Sequence, residues 1–289
     1  MKYVVVIIYL LCFGIADCIW VNVNNKNHML TSMLCRSAVT TLLFICMALV
    51  QHFPDSGHEE IGTTAILYAV GISMVCYGGQ YFYVRSLKYA PVSISITLVS
   101  IITFFVTIVI STTYYDDHIG LPAFTFMLIT LAGVYLTVDG LHWESTPKYR
   151  VGLRYVLLSA ICWGVGYSFI RRPVEAVGVI NFSLILETTI LCINLFLFCA
   201  AGLRWRQLTN VSVQSWKYLI ILGTLIFGGT IFNSLSYTYF GVTTLNIVGK
   251  VGIVVPIAYA LLFLGETVNK KQVVGIITIL AGATAVACL

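Results

Sequence analysis

Four charged residues lie deep within long apolar stretches of this 289-residue sequence: Asp17, Arg36, Glu187 and Lys250. A charge at the centre of a lipid bilayer costs at least about 2.5 kcal/mol, so each side chain is expected to face a partner or a cavity. Two acids and two bases could neutralise one another. We expect a structural or charge-pairing role for Arg36 and Glu187, which begin two apolar stretches at nearly equivalent positions.

Lys250 is the first candidate for solute binding. It is flanked by Gly249 and Gly252 and followed by Pro256, a composition that predicts a closely packed or kinked helix. Asn246 lies four residues earlier and therefore shares its helix face. We predict that Lys250 and Asn246 contact an anionic or carbonyl group of a small solute. A structural salt bridge of Lys250 is the alternative that the sequence leaves open.

Other polar and aromatic residues recur at helical spacing and could line the same cavity. The further predicted substrate-binding residues are Asp17, Tyr77, Gln80, Tyr81, Trp163, Tyr167, Asn233 and Tyr237. The aromatic members could equally belong to ordinary packing or to an interfacial belt. Asp17 or Glu187 could carry a coupling proton, which is a weaker hypothesis because a neighbouring Lys or Arg would oppose it.

The composition identifies the solvent of these residues as lipid. Hydrophobic residues make up 59% of the chain and charged residues 9%, and the mean hydropathy is +0.96. A transmembrane helix needs about 20 mostly apolar residues. Ten blocks approach or exceed that length, at residues 3–21, 31–50, 63–84, 91–113, 120–138, 152–170, 181–202, 218–237, 243–264 and 272–289. We predict an all-α, multi-pass protein of the cell membrane with ten transmembrane helices.

An internal repeat organises these ten blocks. An offset of 150 residues aligns the segment GGQYFYVRSLKYAPVS (78–93) with the segment GGTIFNSLSYTYFGVT (228–243) and Phe13-Gly14 with Trp163-Gly164. The identical pairs in the two segments are Gly78 and Gly228, Gly79 and Gly229, Phe82 and Phe232, Ser86 and Ser236, Tyr89 and Tyr239, and Val92 and Val242.

Each copy contains five predicted spans, at 1–139 and 151–289. Because five is odd, the second copy must insert with the opposite orientation, giving two inverted five-helix repeats. Such repeats are typical of secondary transporters that bind their substrate near the bilayer midplane. The alternative is a duplication that merely enlarged a membrane scaffold.

The end of the second copy carries the most specific residues, namely LGETV at 264–268, Gln272, Gly275 and LAG at 280–282. They resemble the "GE...Q..G...I..G" ending of a unit of the EamA-like transporter family, in the drug/metabolite transporter superfamily. The resemblance extends over nearly the whole chain. It implies a central pocket formed chiefly by spans 1, 3, 4, 6, 8 and 9, and it says little about substrate.

The first copy departs from this pattern in one respect. It keeps Tyr-Ala-Pro at 89–91 and Gly133, but Tyr115-Asp116 replaces the Gly-Glu pair.

We therefore expect a secondary-active carrier of small metabolites such as amino acids, working by alternating access, with export as the expected direction and import still open. The expected partners are a small-molecule solute, the lipid bilayer and a coupling proton, and the protein is expected as a monomer or homodimer. A channel, or a structural membrane subunit without saturable transport, is the alternative function.

Several other classes are not expected. No HExxH or GxSxG motif is present, and the five histidines lie in loops or at span ends, so we do not predict an enzyme. The nine cysteines lie in apolar blocks without a CxxC pair, so neither a metal site nor a cofactor is expected. The 16 basic residues are dispersed, which disfavours nucleic-acid binding.

The orientation is left open by two conflicting indications. Of the basic residues outside the apolar stretches, three lie on the face of the N-terminus and eleven on the other face. The positive-inside rule would then place both termini outside the cytoplasm. Members of the resembled family usually have both termini inside.

Overall fold

The computed structural model describes residues 2–52, 62–90, 92–115, 120–139, 147–263 and 270–287. Within these ranges all regular structure is helical, and a 3-10 turn at Lys250–Ile253 joins two of the α-helices. The α-helices are α1 (Lys2–Lys26), α2 (Met29–His52), α3 (Thr63–Ser86), α4 (Val92–Tyr114), α5 (Leu121–Asp139), α6 (Pro147–Phe169), α7 (Arg171–Val177), α8 (Val179–Ala200), α9 (Arg206–Thr209), α10 (Val213–Tyr239), α11 (Val242–Gly249), α12 (Val254–Phe263) and α13 (Lys270–Ala287).

Helices long and apolar enough to cross a membrane account for seven segments of the described chain. They are Lys2–Asn24, Met29–Gln51, Thr63–Ser86, Ser95–Tyr114, Arg150–Phe169, Val179–Ala200 and Val213–Tyr239. Three shorter apolar helices, Phe124–Leu136, Val242–Pro256 and Val273–Gly282, overlap the fifth, ninth and tenth predicted spans. The all-helical, multi-pass fold is confirmed, whereas the number of ten spans stays a prediction.

Helical structure also occurs in the connections. The connection between the sixth and seventh predicted spans forms α7, in which Arg171 and Glu175 form an ion pair of 2.8 Å one turn apart. This helix ends at Val177 and is followed by Gly178, whose φ of 81° lies in the left-handed region that glycine favours. The longest predicted connection, 203–217, contains the single turn α9.

The ninth predicted span is not a continuous α-helix. It consists of α11, the 3-10 turn at Lys250–Ile253 and α12. The irregularity falls where the sequence predicted a kink, next to Gly249 and Gly252 and before Pro256, which has no amide hydrogen to donate.

The helices form two compact units. The first unit contains Met1–Tyr77 and Phe169–Thr238, and the second contains Gly78–Ser168 and Tyr239–Leu289. The units do not follow the predicted repeats 1–139 and 151–289, because each unit takes helices from both.

In the first unit, α2 packs against its repeat equivalent α8. Asn194 of α8 donates a hydrogen bond to the Met33 carbonyl. Two turns earlier on α8, Glu187 pairs with Arg36 through its side chain, and the Glu187 carbonyl accepts a hydrogen bond from Thr41. Because the residue number falls on one helix as it rises on the other, the two helices run antiparallel.

In the second unit, α5 packs against its repeat equivalent α13. A Cβ atom placed on Gly133 would lie 2.7 Å from the Gly275 carbonyl oxygen, and one on Gly282 would lie 2.9 Å from the Phe126 oxygen. These helices also run antiparallel. The two glycines allow the backbones to touch, as small residues commonly do between membrane helices.

One contact occurs twice, once in each unit. In the second unit, Trp163 of α6 packs on Gly79 of α3, where an added Cβ would lie 2.7 Å from Trp163 Cγ. In the first unit, Phe13 of α1 packs on Gly229 of α10, where an added Cβ would lie 2.6 Å from Phe13 Cε1. The first helix of each repeat therefore packs on the third helix of the other.

Candidate functional site

The predicted site residues are distributed over both compact units. The first unit contains Asp17, Arg36, Tyr77, Glu187, Asn233 and Tyr237. The second unit contains Gln80, Tyr81, Trp163, Tyr167, Asn246 and Lys250.

Arg36 and Glu187 form a buried ion pair in the first unit. Arg36 Nη1 donates to Glu187 Oε2 over 2.7 Å, and the two side chains are 0% and 2% exposed. Thr41 donates to the Glu187 carbonyl oxygen over 3.1 Å, and Thr40 bridges to the Gly223 carbonyl of α10 over 3.1 Å. The pair joins the two antiparallel helices near equivalent repeat positions, which suits charge neutralisation within apolar surroundings.

Tyr77 belongs to a second buried polar cluster of this unit. Its hydroxyl donates to Asn194 Oδ1 over 2.9 Å, and the Asn194 amide reaches Ser37 Oγ at 3.3 Å. Asn194, which the sequence reasoning missed, is fully buried at the centre of this cluster. Tyr237 is also buried, whereas Asp17 and Asn233 are half-buried on α1 and α10.

Trp163 and Tyr167 lie one turn apart on α6 and stack, with ring centroids 6.2 Å apart and planes inclined by 13°. Trp163 also contacts the ring of Tyr83 at 5.2 Å, in addition to its place on Gly79. Both stacked rings are half-buried. Trp163 and Tyr167 thus form one ring surface on α6, and Trp163 contacts α3 through Gly79 and Tyr83. Their role in substrate binding stays a prediction.

An arginine within a group of tyrosines is the most polar part of this aromatic region. Arg85 Nη1 donates to the Tyr81 hydroxyl oxygen over 2.9 Å, and its guanidinium lies 4.8 Å from the ring centroid of Tyr155. Phe82 stacks on Tyr155 at 6.2 Å with planes inclined by 16°, and Tyr89 lies 5.8 Å from the same ring. We call Arg85, Tyr81, Phe82, Tyr89 and Tyr155 the Arg85 cluster.

The charge of Arg85 is not compensated by a carboxylate in the part of the chain that the structure describes. Its guanidinium is held by cation–π contacts and by one phenolic oxygen, which leaves most of its N–H donors available. A planar guanidinium in such a position can bind a carboxylate through two parallel hydrogen bonds.

In the sequence, Arg85 was counted only among the eleven basic residues on the face opposite the N-terminus, and this cluster was missed. A signal was nevertheless present, because Arg85 follows Tyr81 by four residues and so shares its face. Tyr155, on α6, could not be joined to it from the sequence.

The polar face predicted on the ninth span is described in part. Asn246 lies on α11, and its Nδ2 atom is buried without a hydrogen-bond partner among the described residues. The backbone of Lys250 begins the 3-10 turn, but its side chain lies outside the described residues, as do Pro91, Asp116 and the segment 264–268. Gln80 and Tyr81 are half-buried on α3.

A comparison with protein-family models decides what kind of protein carries these features. The model of the EamA-like transporter family matches residues 1–139 and again residues 150–288. The chain belongs to the EamA-like transporter family. It is therefore a multi-pass transmembrane transporter of the drug/metabolite transporter superfamily, and the repeat seen in the sequence corresponds to two EamA units.

A comparison with solved structures concerns the fold of the chain. One crystal structure superposes with a TM-score of 0.67 at 15% sequence identity, covering 96% of this EamA-like chain and 95% of that chain. At this identity the likeness concerns the fold alone. No curated protein matches the sequence.

Proposed function

We propose that this EamA-like protein is a secondary-active carrier that exports small carboxylate-bearing metabolites, such as amino acids, across the cell membrane. In this proposal, ten spans form two inverted five-helix repeats at 1–139 and 151–289, and transport proceeds by alternating access. The protein functions as a monomer or homodimer, and a proton is its coupling ion.

The observation that carries the proposal is the Arg85 cluster. Arg85 is a half-buried guanidinium without a carboxylate partner in the described chain, so its remaining N–H donors suit a bound anion. The rings of Tyr81 and Tyr155 beside it offer an apolar surface to the remainder of an amphipathic solute. Both features suit a substrate with a carboxylate and an apolar side chain.

The unpartnered amide of Asn246 supports a second polar contact. A buried donor without a partner usually has a water or a ligand as its acceptor. Asn246 is the residue predicted to share a helix face with Lys250, so these two side chains would meet a carboxyl or carbonyl oxygen of the solute. Gln80, Trp163 and Tyr167 complete the proposed contacts from the second unit.

The repeat geometry supports alternating access. Equivalent helices run antiparallel in both units, as repeats of opposite membrane orientation require. Trp163 packs on Gly79, and its repeat equivalent Phe13 packs on Gly229. Each repeat therefore makes the same helix contact, as expected if the two repeats exchange conformations during alternating access.

Counterflow in proteoliposomes would test the proposal. Purified protein is reconstituted, the vesicles are loaded with unlabelled L-leucine or L-phenylalanine, and uptake of the same labelled amino acid is recorded. A carrier shows saturable uptake stimulated by solute on the opposite side, which neither a channel nor a structural subunit shows. L-leucinamide and L-phenylalaninamide, which lack the carboxylate, should compete at least about tenfold less well, as expected for loss of hydrogen bonds to a charged group. Absence of saturable counterflow with these amino acids would contradict the proposal.

Two variants address the proposed contacts. Arg85→Gln should raise the KM for the amino acid about tenfold or more and leave competition by the amide unchanged. Lys250→Met should abolish counterflow while the protein remains folded. Lys270→Met, which removes an exposed lysine at the start of α13, is the matched control and should transport normally. Normal transport by both Arg85→Gln and Lys250→Met would contradict the proposed role of these two residues in solute binding.

A further inference from the structure

A polar cleft lies at one end of the first compact unit, and its lining residues include none of those proposed to bind the solute. The cleft has a volume of about 230 Å³. One wall is formed by the junction of α1 and α2, and the other by the connection between α8 and α10. Its lining residues are Lys26, Asn27, His28, Thr31, Gln207, Asn210 and Val211.

The cleft is located where helices of the first unit begin or end. The candidate spans Lys2–Asn24 and Val179–Ala200 end near it, and Met29–Gln51 and Val213–Tyr239 begin near it. Trp205, 60% exposed, packs its ring on Phe198 at 5.7 Å on this side of the unit. Exposed tryptophan beside the ends of apolar helices is typical of the headgroup level of a membrane.

Positive charge predominates around the cleft. Lys26 lines it, and Arg204 and Arg206 lie in the connection that forms its other wall. The sequence contains no Asp or Glu from residue 18 to residue 54 or from residue 188 to residue 265. The two segments that form the cleft therefore contribute cations without a compensating acid.

The cleft also presents hydrogen-bond donors at defined positions. Lys26 Nζ lies 5.5 Å from the ring centroid of Tyr218, which anchors the cation at the rim. Asn27, Gln207 and Asn210 provide side-chain amides. Thr31, 2% exposed, has a hydroxyl without a hydrogen-bond partner among the described residues. Below these polar groups, Val211 packs in an apolar cluster with Val23, Cys35 and Leu219.

We propose that this cleft binds the phosphate group of an anionic phospholipid. A phosphate diester offers only acceptor oxygens and a negative charge, which match an ammonium group and several amide and hydroxyl donors. Basic pockets between membrane helices bind such headgroups, and each nearby Lys or Arg adds to the attraction of an anionic membrane surface. The acyl chains would lie along the apolar surfaces of the adjoining helices. Free phosphate shares the headgroup chemistry, so the experiment must separate the two sources.

The test measures thermal unfolding of the full-length protein in detergent with added lipid. Dioleoylphosphatidylglycerol should raise the apparent melting temperature in a saturable manner, because a ligand that binds the native state stabilises it. Dioleoylphosphatidylcholine, which carries the same chains and phosphate but no net charge, should have a much smaller effect. Sodium phosphate at the same concentration should have none. Equal stabilisation by both lipids, or stabilisation by phosphate alone, would overturn the proposal.

Variants locate the effect in the cleft. Lys26→Gln and Asn210→Asp should each weaken the phosphatidylglycerol response about tenfold or more, the first by removing a charged donor and the second by adding a repelling charge. Lys217→Gln makes the same charge change on an exposed lysine outside the cleft and should retain the response. Because Lys26→Gln and Asn210→Asp alter different elements, misfolding of one leaves the other informative. A loss as large in Lys217→Gln as in Lys26→Gln would indicate general surface charge and overturn the proposal.

Discussion

At the scale of single residues, the buried pair formed by Arg36 and Glu187 dominates the first unit. A buried ion pair is not by itself a strong source of stability, because removing two charges from water offsets most of their mutual attraction. Loss of one partner is different, since it leaves an uncompensated charge in apolar surroundings. The pair therefore constrains the chain even where it adds little net stability.

Glu187→Gln should lower the free energy of unfolding by about 3–5 kcal/mol, the range observed when one member of a buried pair is removed. Replacing both residues, Arg36→Met with Glu187→Met, should recover much of that loss. Denaturant or thermal unfolding in detergent measures both effects.

The exposed pair on α7 is the matched control. Arg171 and Glu175 are 40% and 51% exposed, and Glu175→Gln should change the unfolding free energy by less than about 1 kcal/mol. If Glu187→Gln lowered the free energy of unfolding no more than Glu175→Gln does, the structural role of the buried pair would be contradicted.

At the scale of helices, glycine determines which elements can approach. Gly79 and Gly229 let the rings of Trp163 and Phe13 rest on a helix backbone, and Gly78 and Gly228 similarly face Cys162 and Cys12 at 3.3 and 3.5 Å from an added Cβ. The glycine pairs Gly78/Gly228 and Gly79/Gly229 are the ones that made the repeat visible in the sequence. Glycine at these positions has a packing reason, since each pair supports the same helix contact in the two repeats.

Gly79→Ala should destabilise the protein by about 1–3 kcal/mol, because its Cβ would overlap the indole ring of Trp163. Gly71→Ala is the control on the same helix. Nothing lies within 4 Å of its added Cβ, so helix propensity should make it neutral or stabilising by up to about 1 kcal/mol. Unfolding in detergent provides the comparison, and equal stabilities of the two variants would contradict the contact.

At the scale of the whole molecule, an even number of spans requires both termini on one side of the membrane. In a background without other cysteines, Cys288 and an introduced Lys2→Cys should react identically with an impermeant maleimide in intact cells. Labelling of only one end would contradict ten spans. The side that reacts also decides the orientation, because the charge distribution predicts exposed termini and the family resemblance predicts protected ones.

Sequence alone determined the features that depend on local composition and spacing. Apolar length located the helices, since bilayer thickness dictates how many residues a span needs. The offset of 150 residues revealed the two EamA units and the glycines of their shared contact. The break near Lys250 was also predictable, because glycine and proline act on the backbone where they stand.

Only the tertiary structure decided which distant side chains meet. Arg36 forms an ion pair with Glu187, 151 residues later in the sequence, and Tyr77 donates a hydrogen bond to Asn194, 117 residues later. Such partners depend on the rotation and direction of packed helices, which helical periodicity within one segment cannot reveal. The same reason explains why the sequence did not reveal the Arg85 cluster. The surroundings of Arg85 include Tyr155 of α6, and α6 contacts α3 through Trp163 and Gly79 of the same two helices.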